Sequence, residues 1–313
     1  MDALAGLLDG PRAQGAFLLR ALMAPPWSLR IQDRAPISLI AMLYGDAWVI
    51  PDGGATPVRI GPGDVAVCRG PDPYTVAGDP ATPPSVVIHP GQRCTTVDGR
   101  EVKPMLDLGV RTWGTDPGGP VAMLVGTYEE LRGEVGRRLL DVLPPLVIVP
   151  GGDLGSPLVP LLGEEIARDQ PGQGVVLDRL LDLLLIATLR AWLARPEAGA
   201  PAWYQAQGDP VVGRALKLLH HHPARPWTVA SLAAETGVSR AALARRFTEL
   251  VGEPPMSFLT GWRLALAADQ HREPGATIGA VARQVGYGSP YALSTAFKRV
   301  NGVSPRDYRA ATV

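Results

Sequence analysis

Two stretches near the C-terminus repeat one pattern of apolar and polar positions in register. The first runs Thr228-Val229-Ala230-Ser231-Leu232-Ala233 and continues through Gly237, Ser239, Leu243, Phe247, Gly252 and Pro255. The second runs Thr277-Ile278-Gly279-Ala280-Val281-Ala282 and continues through Gly286, Ser289, Leu293, Phe297, Gly302 and Pro305. Each copy predicts a short helix capped by a threonine oxygen and ended at a glycine, the residue that best tolerates the left-handed conformation. A second helix follows, capped by Ser239 or Ser289. Its Leu243/Phe247 or Leu293/Phe297 pair, four residues apart, forms one apolar stripe for packing on the helix before it. This is the pattern of a helix-turn-helix, and two copies are too few for a solenoid. A helix over Pro255–Arg272, with Phe258, Leu259, Trp262 and Leu266 on one face, is expected to hold the copies apart. It would be about 25 Å long.

The first half has a different rhythm. Short β-type runs are expected at Ser28–Gln32, Ile37–Tyr44, Ala47–Ile50, Val58–Ile60, Val65–Cys68, Val86–His89, Leu108–Thr112 and Val121–Tyr128, separated by Gly- and Pro-rich turns. Many short strands at this spacing predict an all-β sandwich or barrel. Ala3 to Met23 is expected to form helical turns broken at Gly10-Pro11. Helices are expected at Ser156–Arg168, Gly174–Arg195 and Pro210–His222, with a Pro-, Gly- and Ala-rich linker from Pro196 to Gly208. The helix over Gly174–Arg195 is apolar around more than half its circumference. One buried stripe would suffice to dock it, so the surplus points to a second covered face, either on the preceding helix or in a homodimer. The chain is thus expected to be multidomain: residues 1–152 all-β, 153–207 a helical linker and dimerisation segment, and 208–313 all-α with two helix-turn-helix units.

Charge adds a direction. The 313 residues have no formal net charge. From Asp209 onward, however, 13 Lys/Arg stand against 7 Asp/Glu, or +6, and the remainder carries −6. The basic end is expected to meet a polyanion. Two cysteines, Cys68 and Cys94, are too few for a disulfide scaffold. There is no export signal of the usual composition, and the most apolar run, Leu180 to Leu193, is interrupted by Asp182 and Arg190. A cytoplasmic protein without membrane contact is expected.

The positions Ser239-Arg240, Leu243, Arg245 and Phe247, followed by Gly286-Tyr287, Ser289, Phe297-Lys298-Arg299, Gly302-Val303-Ser304-Pro305-Arg306 and Tyr308-Arg309, resemble the AraC/XylS family of transcription regulators over Asp209 to Arg309. The segment Trp27 to Ala77, with Ile60-Gly61-Pro62-Gly63-Asp64-Val65 leading into a strand, looks like the cupin-type sensor domain that such regulators carry. Leu143-Pro144-Pro145, after an Arg-rich helix, adds to that likeness. The resemblance implies a cupin-like barrel followed by an AraC-type DNA-binding domain. It also implies a sequence-specific regulator controlled by a small-molecule effector, with promoter DNA and a second copy of the chain as partners. RNA polymerase joins them if the regulator activates, and no cofactor is implied.

Helix geometry turns Ala241, Arg245 and Thr248 away from the Leu243/Phe247 stripe, with Ala244 at its edge, and the same offsets give Tyr291, Thr295 and Lys298 in the second copy. By resemblance, the base-reading positions are Ala241, Ala244 and Arg245, then Pro290, Tyr291 and Thr295. Arg245 could donate two hydrogen bonds to guanine O6 and N7, or contact a phosphate instead. Arg240, Lys298 and Arg299 are expected at phosphates, or simply as solvated surface. Ser239 and Ser289 are caps first, with a phosphate bond from the helix start as an addition.

Two other functions have some footing in the sequence. A metal-dependent cupin enzyme needs several histidines, and the N-terminal half has only His89, so neither a metal nor catalytic residues are expected. Tyr74 and Asp72 lie near where a metal-binding cupin places a histidine, which favours an organic ligand. His220, His221 and His222 diverge by about 100° each and suit a helix C-terminus better than one metal. An oxidant-responsive regulator would act through Cys68 or Cys94, although a cysteine in a β-run is more often a small buried apolar residue.

Overall fold

The computed structural model describes residues 17–102, 111–129, 134, 140–195, 200–273 and 275–310. The chain forms two compact units: one of residues 11–131 and 143–198, the other of 1–10, 132–142 and 199–313.

The first unit contains strands β1 (Phe17–Met23), β2 (Ser28–Ile31), β3 (Ile37–Tyr44), β4 (Ala47–Pro51), β5 (Val58–Ile60), β6 (Val65–Arg69), β7 (Tyr74–Ala77), β8 (Val86–His89), β9 (Arg93–Thr96), β10 (Thr112–Gly114), β11 (Val121–Tyr128) and β12 (Leu146–Val149). Among the described residues they pair in two six-stranded sheets, ordered β10-β1-β11-β3-β6-β12 and β5-β4-β7-β2-β8-β9. The expected barrel is therefore two sheets sharing a core rather than one closed ring. Alternate residues of the sheets, among them Ile40, Met42, Ala66, Cys68 and Met123 against Leu29, Ile31, Val49 and Val76, fill that core.

Phe17–Met23 is a strand where helical turns were expected. Leu18, Ala21, Leu22 and Met23 are all buried, so both faces of this strand are covered and the alternation that marks a half-exposed strand is lost. The rest of that expectation, residues 3–16, lies outside the described residues. So do 108–110 of the run expected at Leu108–Thr112, whose strand begins at Thr112, and most of the Arg-rich segment before Leu143.

The Gly-Asp turn ahead of β6 is built as its residues demand. Gly63 has φ +84°, and the Asp64 carboxylate accepts from Gly61 N at 2.8 Å and from Gly151 N at 3.0 Å. One side chain thus ties the turn to the segment following β12. Helices α1 (Leu158–Ile166) and α2 (Gln173–Leu193) come next. They cover the outer face of the first sheet through close approaches at glycine: a Cβ at Gly163 would lie 2.5 Å from Leu43, and one at Gly126 would lie 2.5 Å from Leu181.

The second unit contains α3 (Ala202–Gln205), α4 (Val212–His221), α5 (Val229–Thr236), α6 (Arg240–Val251), α7 (Pro255–Arg272), α8 (Ile278–Gln284), α9 (Pro290–Asn301) and α10 (Pro305–Ala310). Its apolar residues form two main cores. Leu216, Leu219, Trp227, Leu232, Leu243, Phe247 and Leu259 close the first, and Leu264, Ala268, Val281, Val285, Leu293 and Phe297 the second. The C-terminal part of the expected linker is folded, with Trp203 of α3 packed on Trp262 and Ala265 of α7. Residues 196–199 lie outside the described residues. Among the described residues, no helix is long and apolar enough to cross a membrane.

Candidate nucleic-acid interface

The caps hold the two helix-turn-helix units as the side chains require. Thr228 Oγ1 accepts from Ser231 N at 3.0 Å, and Thr277 Oγ1 accepts from Ala280 N at 3.2 Å. Ser239 Oγ accepts from Ala242 N at 3.2 Å, and Ser289 Oγ accepts from Ala292 N at 3.1 Å. Gly237, Gly252 and Gly302 end their helices with positive φ. In the second unit α8 stops one residue earlier than its counterpart, at Gln284, with Val285 as its C-cap and Gly286 following at φ +85°.

With Leu243 and Phe247 buried, the opposite face of α6 carries Arg240, Ala241 and Arg245 exposed, with Ala244 half-buried. With Leu293 and Phe297 buried, α9 presents Pro290, Tyr291, Thr295, Lys298 and Arg299 exposed, and its cap Ser289 is half-buried. Tyr291 is 81% exposed.

The arginines of α6 differ. Arg245 is 77% exposed and, among the described residues, reaches only Glu249, at 3.8 Å. Arg246 donates from both Nε (2.9 Å) and NH2 (2.5 Å) to the largely buried Asp209 carboxylate, just ahead of α4. That carboxylate also accepts from Val211 N and Val212 N, so Arg246 clamps α6 to the start of α4. Periodicity signals Glu249 as a neighbour one turn from Arg245. It offers no signal for Asp209, 37 residues before Arg246. Thr248, which the spacing placed on the outer face, spends its hydroxyl on Ala244 O at 2.9 Å.

The histidine run sits at the end of α4. His220 packs edge-on to Trp262 and Phe258, with ring centroids 4.5 and 5.4 Å away. Cys68 lies on the first sheet and Cys94 on the second, facing the same core. Burial pushes the Cys68 thiol up to about 12 and also raises Cys94. A thiolate, the nucleophilic form, is thereby disfavoured at both. Burial inside the sandwich, with Cys68 beside it, pushes the Tyr74 hydroxyl well above its ordinary range. Among the described residues, no three His, Cys, Asp or Glu side chains are grouped to hold a metal, and His89 Nε2 lies 2.9 Å from Thr95 Oγ1.

Comparison with known proteins follows the same division. The family described as Cupin matches residues 2–194, and the Helix-turn-helix domain family matches residues 232–311. A protein of Streptomyces lividans described as an AraC-like transcription regulator is 33% identical over 99% of this chain and 98% of its own length. The HTH-type transcriptional regulator AlkR of Acinetobacter baylyi is 27% identical over 99% of both chains. Among solved structures, the C-terminal domain of AraT, a response regulator from Geobacillus stearothermophilus, is 33% identical over 33% of this chain and 86% of that one, with a TM-score of 0.32.

Proposed function

Because the chain belongs to the AraC-like family of DNA-binding transcription regulators that carry an N-terminal cupin domain, we propose that α6 and α9 enter successive major grooves of promoter DNA. In this reading Arg245 reads a guanine, while Ala241 and Ala244 meet thymine methyls. Pro290, Tyr291 and Thr295 line the second groove. Arg240, Lys298 and Arg299 engage phosphates, with Ser239 and Ser289 at the helix starts. The observation that carries this reading is the shared geometry of the units, each with its buried stripe inward and cationic residues outward, joined in α9 by Tyr291.

The regulator works in the cytoplasm without catalysis of its own, and RNA polymerase is a further partner where it activates. A small organic effector binds between the sheets. Strand register supports one end of the sandwich as its entrance: Tyr74, Ile31, Ile88 and Cys94 share a row of the second sheet, and Leu146, Cys68, Ser38 and Thr127 share a row of the first. Tyr74, Ile88, Cys94 and Leu146 in these rows are only partly buried. Binding-site sequencing on genomic DNA, with and without candidate metabolites, tests the whole reading. It predicts a two-part motif whose occupancy responds to one of them, and a set of fragments with no shared motif would overturn it.

Lys298→Ala is expected to weaken binding about equally for all DNA sequences and to reduce the salt slope by about 1. A change confined to one base preference would show that Lys298 reads sequence instead.

The second copy of the chain docks on α2. Val176, Leu180, Leu183 and Ala187 follow heptad spacing on its outer face, and Val176 and Leu183 remain 45% and 48% exposed. Leu183→Asp is expected to convert the dimer to a monomer in light scattering at micromolar concentration, with unchanged circular dichroism. An unchanged mass would exclude this face.

A further inference from the structure

The two helix-turn-helix units have separate main cores, and α7 passes from one to the other: Leu259 belongs to the first and Leu264 to the second. Arg263 lies at the handover. Its Nε donates to Pro223 O at 2.7 Å, and its NH2 donates to Arg225 O at 2.8 Å. Both carbonyls belong to the loop that enters the first unit. The same guanidinium lies over the ring of Tyr287 in the turn of the second unit, 6.0 Å from its centroid.

Beside it the two backbones meet directly. A Cβ at Gly286 would lie 2.6 Å from Ala224 O and 2.7 Å from Ala224 Cα, and the residue has φ +85°. A side chain is excluded there both by the neighbouring backbone and by the conformation. The loop also borders an open cleft of about 410 Å³ lined by His221, His222, Pro223, Ala224, Arg225 and Gln284.

We propose that Arg263 and Gly286 form a joint that locks the two units at one separation and rotation, so that these two positioning residues set the spacing between operator halves that the protein accepts. A helix alone holds two bodies at a distance; the second attachment through the loop prevents them from twisting about it. Spacing is a demanding variable on DNA, because one inserted base pair turns the second half-site by roughly 35°. This inference rests on the reading of α6 and α9 as the paired DNA-contacting helices.

The test uses the full-length protein with Arg263→Gln, Arg263→Lys and Gly286→Ala. Each is titrated against the selected operator, against operators with the gap between halves changed by −1, +1 and +2 base pairs, and against a single half-site. The wild type is expected to lose about tenfold in affinity for each one-base-pair change. Arg263→Gln and Gly286→Ala are expected to bind the native spacing about tenfold more weakly while keeping half-site affinity within about twofold, so that the spacing profile flattens. Arg263→Lys, which can satisfy one carbonyl, is expected to fall between. A wild-type spacing profile in Arg263→Gln and Gly286→Ala would overturn the joint. So would an equal loss of half-site and full-site binding in all three variants, because the contacts would then support folding rather than spacing. A wild type that binds no two-part site at all would instead remove the functional reading on which the joint depends.

Discussion

Phe247→Ala is expected to destabilise the helical unit by about 3–5 kcal/mol. The ring is fully buried in the first core, among Leu216, Leu232, Leu243 and Leu259. It also meets Phe258 edge to face, with centroids 5.9 Å apart. Removing it takes away the transfer free energy of an aromatic ring and leaves a cavity where α4, α5, α6 and α7 converge. A domain of this size has only about 5–15 kcal/mol of stability in total, so the loss is a large share. Chemical denaturation followed by tryptophan fluorescence would measure it, and DNA affinity should fall with the folded fraction. A loss below about 1 kcal/mol would mean that the four helices close the gap.

Arg245→Ala is expected to weaken specific DNA binding by about 1–3 kcal/mol and to relax the preference at one base pair, with folding stability unchanged. Magnitudes decide whether its guanidinium is available. Its contact with Glu249 is 3.8 Å long between two exposed groups, the kind of helical pair that contributes about 0.3–0.5 kcal/mol. A bidentate guanine contact is several times stronger, enough to displace the glutamate if Arg245 reads a base as proposed. Arg246, one residue on, is held from two nitrogens by a largely buried carboxylate. Arg246→Ala should therefore act through loosened packing of α6 on α4. Footprinting with all four bases at the contacted position separates the two arginines. A uniform loss over all four bases for Arg245→Ala would reassign it to a phosphate.

The helical half of the chain was the more legible because its signals are local. Thr228, Ser239, Thr277 and Ser289 each cap a helix within three residues, and the Leu243/Phe247 and Leu293/Phe297 pairs bury as their spacing requires. Strands with strong runs, such as Ile37–Tyr44 and Val121–Tyr128, were legible to the residue. The strands Tyr74–Ala77, Arg93–Thr96 and Leu146–Val149 were not. Tyr74–Ala77 and Leu146–Val149 are held by strands distant in the chain, as Leu146 is paired with Cys68, 78 residues earlier, and Arg93–Thr96 (Arg, Cys and two Thr) carries no apolar run to mark it. Within the candidate interface, the outward residues followed from helix geometry. The Asp209–Arg246 clamp and the Arg263 joint did not, because their partners are joined only by the folded chain.

The glycine at 126 has a mechanical consequence. Its neighbour Val125 faces the core between the sheets, while Gly126 receives Leu181 of α2 on the other side of the same strand. Strand β11 is thus a diaphragm one backbone thick, with the sandwich interior on one side and the helix bearing Val176 and Leu183 on the other. With no side chain at 126, a single residue of backbone separates the Val125 side of the strand from Leu181.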